Sequence, residues 1–454
     1  MRIDFSRYIT AFENLPQGVI WAEVNADLRD EVTLHVKNGE QTGCECLERM
    51  AIYLRASDGT KIGTVYTEQL DDDPEKMMKT AVQNAKFMDA VSTDQPNQSG
   101  NIQLGVVEDE ADTPEMLNFA RAVEAAVKEL SATADIKHLT IRRTVMVRRI
   151  TNSFGLDNYQ EHQFYLAELS TERGSSEESP LVKRSATKLA DIDVKELAAQ
   201  AVHKGGRAEP DAELKPVALS SGKYDCVFSS EVTRQIFVTA WQEFVGGYMA
   251  GNKAIFNPEP GTHIGSPCFS VVDTPRLDGW GYCLALDSEG TECKTKDLVR
   301  GGKLATPMYS LTTAAAAGVK STGNAGRVAL LTGTTPVNIV TIPSILYIEP
   351  GEATEAELVQ KMGSGILLTY SLDEFHSITI SSGEFSIPCG GIVYENGKPV
   401  GTVEQITMAG NLRELFDNIQ AVGCDLEVDE FEYKNYCFGG PSLLVTSISI
   451  SSAG

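Results

Sequence analysis

The stretch that most constrains the fold is Gly205–Asp225, GGRAEPDAELKPVALSSGKYD, in which glycine, proline and charge recur without apolar periodicity. A chain of 454 residues exceeds what one hydrophobic core usually organises, so a break of this kind predicts two domains, 1–210 and 215–454. Before the break, alternating runs predict strands: GVIWAEV, EVTLHVKNG, RMAIYLRA and KIGTVYTE, the last two joined by an Asp58-Gly59 hairpin signal. Helical spacing is read at Asp4–Asn14, from Asp73 to about Ala90, and from Thr113-Pro114-Glu115, where threonine can cap and proline takes the first position. A polar loop is expected over Ser92–Asn101. Long strands follow in KHLTIRRTVMVRRITNS, NYQEHQFYLAELSTER and ESPLVKRSATKLA, then a helix at Val194–His203. Beyond the break, glycine-rich turns separate short strands, and helices are read near Glu231–Tyr248, Thr354–Met362 and Leu412–Ile419. Strands and helices mix without a steady βαβ rhythm or a fixed repeat. The expected fold is therefore α+β, with an N-terminal α/β-mixed domain and a C-terminal strand-rich domain.

Charge excludes one class of function. The chain carries 39 basic and 63 acidic residues, a net charge of -24, whereas binding a nucleic-acid backbone needs basic patches that displace counterions. The arginines of TIRRTVMVRR alternate with apolar residues and read as the wet face of a strand. No run approaches the roughly 18 apolar residues of a membrane span. The N-terminal MRIDFSRYITAFENLPQG has no apolar core of a signal peptide. The nine cysteines are scattered with no CxxC pair, which suits reduced thiols in a cytoplasm. Cys44 and Cys46 share one face of a strand and read first as two buried cysteines.

The usual catalytic motifs are absent. The six histidines lie more than five residues apart, and neither a GxSxG elbow nor a GxxxxGK[ST] loop occurs. What remains is a set of glycine–polar clusters. LDSEGTECK places Asp287 and Glu289 beside Gly290, and ENGKPVG carries an Asn396-Gly397 turn. KSTGNAGR packs Ser321, Thr322, Gly323, Asn324 and Arg327 into one loop, where small side chains let a ligand approach the backbone and Arg327 offers two-point geometry to a carboxylate. The alternative for Arg327 is an internal tie to Asp287 or Glu289.

Six stretches, in this order, resemble the TldD/PmbA family, once described as modulators of DNA gyrase and associated with peptide maturation. They are ITNSFG at 150–155, LDSEGT at 286–291, STGNAGR at 321–327, SGEFSIPCGGIVYENGK at 382–398, AGNLRELFDNIQAVGCD at 409–425 and GGPSLLV at 439–445. The resemblance implies dimers around an enclosed cavity. It also implies two branches: TldD, whose HExxxH histidines bind zinc together with a cysteine, and PmbA/TldE, which lacks that motif and can pair with a TldD subunit. Here the motif falls on QEFVGG, with Gln242 and Gly247 at the histidine positions and Glu243 at the glutamate. Glutamine is a poor zinc ligand, glycine offers none, and without a metal Glu243 has no activated water to deprotonate. Residues five apart sit about 140° apart on an ideal helix, so the family's ligand pair needs a local distortion, which Gly246 and Gly247 can preserve; close packing explains them equally.

The resemblance therefore implies a PmbA/TldE-like chain with no metal of its own, zinc on a TldD-type partner, and a part in holding peptide for proteolysis or maturation. Partners are a peptide and either a second copy or an HExxxH-bearing subunit; association is expected through the C-terminal domain, whose PSLLVTSISISSAG is rich in strand formers and poor in charge. The competing readings are a free-standing peptidase with another site and a regulatory binding protein.

Overall fold

The computed structural model describes residues 3–87, 96–97, 100–105, 111–172, 181–207, 214–327, 338–431 and 436–452. The chain forms two compact units: Met1–Ala212 with Arg276–Glu292 and Ala325–Val340, and Glu213–Pro275 with Cys293–Asn324 and Thr341–Gly454. The first break falls within the glycine- and proline-rich stretch. The units are nonetheless discontinuous in sequence, because two later segments join the first.

The first unit contains α1 (Ser6–Phe12), β1 (Trp21–Lys37), β2 (Glu40–Ser57), β3 (Ile62–Thr67), α2 (Pro74–Ala85) and β4 (Gln103–Leu104). It continues with α3 (Thr113–Leu130), β5 (Asp135–Asn152), β6 (Asp157–Glu172), β7 (Val182–Ala186) and α4 (Val194–Arg207). The strands make one sheet in the order β3-β2-β1-β5-β6-β4, with β7 on β6. The loop expected over Ser92–Asn101 lies largely outside the described residues, and the helix expected to reach about Ala90 ends at Ala85, with Lys86 as its C-cap. α3 begins one residue earlier than its threonine suggests: Asp112 caps it, accepting from the Glu115 amide at 2.9 Å while the Glu115 carboxylate accepts from the Asp112 amide at 2.9 Å.

β1 alternates between apolar and polar residues except at Trp21 and Asp30, and the alternation sorts the sheet's two faces. Val24, Ala26, Leu28, Leu34 and Val36 bury against the apolar sides of α1, α2, α3 and α4, together with Met78, Val123 and Leu197. Glu23, Asn25 and Glu31 point to the other face, and they too are buried. So are three arginines of β5, which the alternating pattern places in water: Arg142, Arg148 and Arg149 are 6–8% exposed, the first two on this polar face opposite Thr33 and Asp27, Arg149 on the helix-covered face opposite Ala26. Acids on neighbouring strands explain the difference. Arg148 grips Asp27 in two-point fashion at 2.5 and 3.1 Å, and Arg149 grips Asp157 at 2.9 Å twice. The segment 276–292 closes this face, with the Leu286 carbonyl accepting from Arg148 and the Ser288 carbonyl from Asn25, each at 2.8 Å.

The second unit contains β8 (Gly222–Phe228), α5 (Ser230–Ala240), α6 (Gly246–Ala250), β9 (Val271–Thr274), β10 (Lys296–Arg300), β11 (Lys303–Leu304) and α7 (Leu311–Ala317). β12 (Ala325–Arg327) and all but the last residue of β13 (Ile339–Thr341) belong to the first unit; the second then continues with β14 (Ile345–Ile348), α8 (Glu355–Met362), β15 (Gly365–Ser371), α9 (Glu374–Ser377) and β16 (Ile378–Thr379). The remainder is β17 (Glu384–Glu395), β18 (Lys398–Asn411), α10 (Leu412–Asp417), β19 (Ile419–Val422), β20 (Glu427–Phe431), β21 (Tyr436–Gly440) and β22 (Leu443–Ser452). One sheet runs β11-β10-β9-β14-β21-β20, another β15-β8-β22-β18-β17-β16 with β19 on β22. Asn396 and Gly397, at φ 52° and 73°, make the expected left-handed turn between β17 and β18. Phe416 of α10 is the hub of this unit's core: the rings of Phe237, Phe244, Phe256 and Phe269 stack around it at 4.8–6.4 Å.

The buried face of the first sheet makes a direct prediction. Arg148→Ala leaves Asp27 and the Leu286 carbonyl without their cation, so the variant should lose about 3 kcal/mol of unfolding free energy, read as a lower urea midpoint with an unchanged slope.

Candidate functional site

Apolar spacing predicts one helix through the motif stretch, but the structure breaks it in the middle. α5 ends at Ala240, a 3-10 turn takes Trp241–Phe244, Val245 is extended at φ -86° and ψ 112°, and α6 resumes at Gly246. The cause is a short β-bridge. The Met308 amide donates to the Phe244 carbonyl and the Gly246 amide to the Met308 carbonyl, both at 2.9 Å, with Val245 between them. The distortion that an i, i+5 ligand pair requires is thus present, without the ligands. The two glycines serve close approach as well: a Cβ on Gly246 would stand 2.1 Å from the Tyr309 ring, and one on Gly247 would stand 2.8 Å from Cγ2 of Thr313 in α7.

The residues at the zinc positions do not fit the ion. Gln242 donates from Nε2 to the Thr239 carbonyl at 3.2 Å, and Gly247 has no side chain, a Cβ there requiring Thr313 to shift. Of the cysteines near the expected third ligand, Cys437 is buried in β21 and Cys424 is exposed. Among the described residues, no group of three or more His, Cys, Asp or Glu side chains converges on a point that could hold a metal.

Glu243 keeps its place with a different task. It is fully buried; Oε2 accepts from the Ile255 amide at 2.8 Å, and Oε1 has no hydrogen-bond partner among the described residues. Burial raises its carboxyl to about 7, against the opposing pull of the Ile255 amide and the Arg413 charge. Arg413 donates to the Ile255 carbonyl at 2.6 Å and lies 4.6 Å over the Phe256 ring. The carboxyl and the guanidinium therefore hold one residue by its two polar ends.

The Ser321–Arg327 loop is partitioned. Ser321–Asn324 belong to the second unit, where Tyr309 gathers them: its carbonyl accepts from the hydroxyls of Ser321 and Thr322 at 3.2 and 3.1 Å, and its amide donates to Thr322 at 2.7 Å. Tyr309 thus joins the loop to Gly246 of the motif. Asn324 donates to Asp273 at 2.8 Å and to the Ile342 carbonyl at 2.9 Å, while Gly323 takes φ 72° between them. Ser321 and Thr322 are half-buried, and the rest of the loop is buried. Arg327 belongs to the first unit, its guanidinium 4.1 Å over the Tyr53 ring; burial, and then the Arg55 charge, lower its pKa to about 10. The nearby acids have their own work. Asp287 accepts from the Glu289, Thr291 and Ala325 amides at 2.9, 2.9 and 3.0 Å, and Glu289 meets Arg55 at 3.4 Å. The sequence named Asp287 as a charge and missed it as a backbone anchor, although Asp-Ser-Glu-Gly has the composition of a side-chain-to-backbone turn. Tyr309 carried no signal at all.

These features define a two-unit α+β protein whose second unit has the frame of a metallopeptidase helix and other residues in its ligand positions. The family described as the PmbA/TldA metallopeptidase C-terminal domain matches residues 221–452, more than half of the chain, and the protein belongs to this PmbA/TldD family. It is 26% identical over 216 residues to the metalloprotease PmbA of Escherichia coli O157:H7, covering 48% of this chain and 44% of that one. It is 26% identical over 221 residues to a metalloprotease of Methanothermobacter thermautotrophicus, covering 47% and 46%. The chain therefore spans about half the length of the curated relatives it matches. Its fold is that of TldE from Thermococcus kodakarensis, with a TM-score of 0.77, 18% identity and coverage of 98% and 99%, and of a Thermotoga maritima protein, with a TM-score of 0.76, 22% identity and coverage of 98% of both chains. Among the described residues, no helix is long and apolar enough to cross a membrane.

Two variants test the motif. Because the folded carboxyl of Glu243 holds its proton to about pH 7, against 4.5 ordinarily, its contribution to stability is complete below 4.5 and is lost as pH rises through 7. Glu243→Gln keeps an acceptor for Ile255 without the charge, so at about pH 8 it should be more stable than wild type by up to about 3 kcal/mol. The gain should vanish near pH 4.5 in thermal melts. Restoring both histidines, Gln242→His with Gly247→His, should bind no stoichiometric zinc and should lower the melting temperature, since an imidazole at 247 meets Thr313.

Proposed function

We propose that this chain is a PmbA/TldE-type subunit that holds an extended peptide, while hydrolysis belongs to an HExxxH-bearing partner that carries the zinc. The observation that carries the reading is Gly247: the second histidine position has no ligand atom, and Thr313 occupies the space one would need. The partner is such a homologue or a second copy of the chain. The nine cysteines, all free thiols, favour a reducing cytoplasm.

Within the loop, the proposal separates two duties. Ser321 and Thr322, half-buried and held by Tyr309, are the members with surface left to meet a peptide. Gly323, Asn324 and Arg327 are enclosed and shape the loop from inside.

Metal analysis and peptidase assays of the purified chain, alone and mixed with an HExxxH-bearing homologue, test this directly. The chain alone should retain no near-equimolar zinc after dialysis and cleave no peptide, and the mixture should cleave. Chelator-sensitive cleavage by the chain alone overturns the reading. Ser321→Ala should reduce cleavage by the mixture with a stability loss of about 1 kcal/mol or less, whereas Arg327→Ala should lower the melting temperature by several degrees because it empties a buried site against Tyr53.

A further inference from the structure

Cys44 and Cys46 lie in β2 ahead of the part that β3 covers: β1 pairs with them on one side, whereas on the other β3 pairs only with Ile52–Ser57. Both cysteines are exposed, so the expectation that they are buried is not met. Their partners across the ladder are Leu34 and Val32 of β1, and among the described residues no strand lies beyond β2 at this point. Residues two apart in a strand point the same way, and here the two thiols meet. Cys44 shares a hydrogen bond with the Cys46 thiol, and partial burial, then that neighbour, raises the Cys44 thiol above its ordinary range. The other exposed cysteines, Cys268 and Cys424, belong to the second unit, where Cys268 meets the Ser266 hydroxyl and the Ile419 carbonyl.

The spacing selects what can join the two sulfurs. Two residues of strand advance the backbone by about 6.6 Å, with the Cα–Cβ bonds side by side. A disulfide needs Cβ atoms about 4 Å apart, so closing one would cost this stretch its pairing with β1. A metal ion about 2.3 Å from each sulfur spans thiols about 4 Å apart, a gap that two side chains leaning together can reach. Ligand number then narrows the ion. Among the described residues, no third His, Cys, Asp or Glu completes a metal-holding group with these two. Structural zinc takes four ligands, whereas soft Cu(I) accepts two thiolates. We propose that Cys44 and Cys46 together bind one Cu(I) ion, held between their two sulfurs. Each thiol releases its proton to solvent as its sulfur bonds the ion, so the bound unit carries one negative charge and no electron is transferred. The inference concerns the first unit alone and does not rest on the reading of the motif in the second.

Anaerobic titration of the full chain with Cu(I), against a competing Cu(I) chelator, tests this. Wild type should take up one ion per chain, and the double variant Cys268→Ser, Cys424→Ser should match it. Altering a residue behind a metal ligand commonly costs about 10–100-fold, so Cys44→Ser or Cys46→Ser, each removing one of only two sulfurs, should weaken binding at least about a hundredfold. Cys46→Ser combined with Glu45→Cys keeps two thiols but puts them on opposite faces of the strand, and should bind as weakly as Cys46→Ser alone. Because two protons leave, the apparent affinity of wild type should rise about a hundredfold for each unit of pH while both thiols are protonated. No uptake by wild type, binding kept by either single variant, binding lost with Cys268→Ser and Cys424→Ser, binding regained by the opposite-face pair, or an affinity indifferent to pH would each overturn the proposal.

Discussion

Burying charge on both partners at once is the constraint on which the first unit rests. One face of its sheet carries Glu23, Asn25, Asp27, Arg55 and Arg148, and of these all but the half-buried Asp27 are buried. A buried ion is tolerable only when its counter-ion and its remaining hydrogen-bond positions are supplied. The strands supply part, through Arg55 on Glu23 at 2.7 Å and Arg148 on Asp27. Residues 276–292 supply the rest, with backbone carbonyls at Leu286 and Ser288 and the carboxylate of Glu289. This accounts for a unit assembled from distant pieces of chain. The sheet cannot satisfy its polar face with its own residues, and the segment that does so lies more than a hundred positions downstream.

Asp287 keeps that segment in shape. It lies at the bottom of the LDSEGT turn, fully buried, and takes three backbone amides. Burial raises its carboxyl while those amides lower it, so the anion persists where its donors are preorganised. One of the donors is Ala325, two positions before Arg327. Two clusters far apart in sequence are thus one structural element.

The motif region follows another rule. A helix with a ligand pair at i and i+5 must be interrupted, and here the interruption is a backbone feature, the bridge of Val245 to Met308. The aromatic core around Phe416 holds Phe244 on one side of the break, and Tyr309 packs on Gly246 at the other. Packing and backbone hydrogen bonds hold this frame, and Glu243 within it holds Ile255.

Much of this was readable from residue order, because it depends on near neighbours. The alternation along β1, the Asp58-Gly59 and Asn396-Gly397 turns and the helices at Thr113 and Thr354 are all set within a few residues. Chemistry alone also says that glutamine at 242 is a poor zinc ligand and that glycine at 247 offers none. Tertiary structure decided the rest. The adjacent arginine pairs of β5 send Arg142 and Arg148 to the polar face and Arg143 and Arg149 to the helix-covered one, and residue order could not say that Asp27 and a distant segment would enclose Arg148 or that Asp157 would pair with Arg149. Apolar spacing at 232–248 is helical throughout, and only a hydrogen-bonding partner at Met308, some sixty residues away, breaks the helix. The fate of Ser321, Thr322, Asn324 and Arg327 was equally hidden, because composition gives a side chain's hydrogen-bonding capacity, whereas the fold determines which groups come near enough to use it.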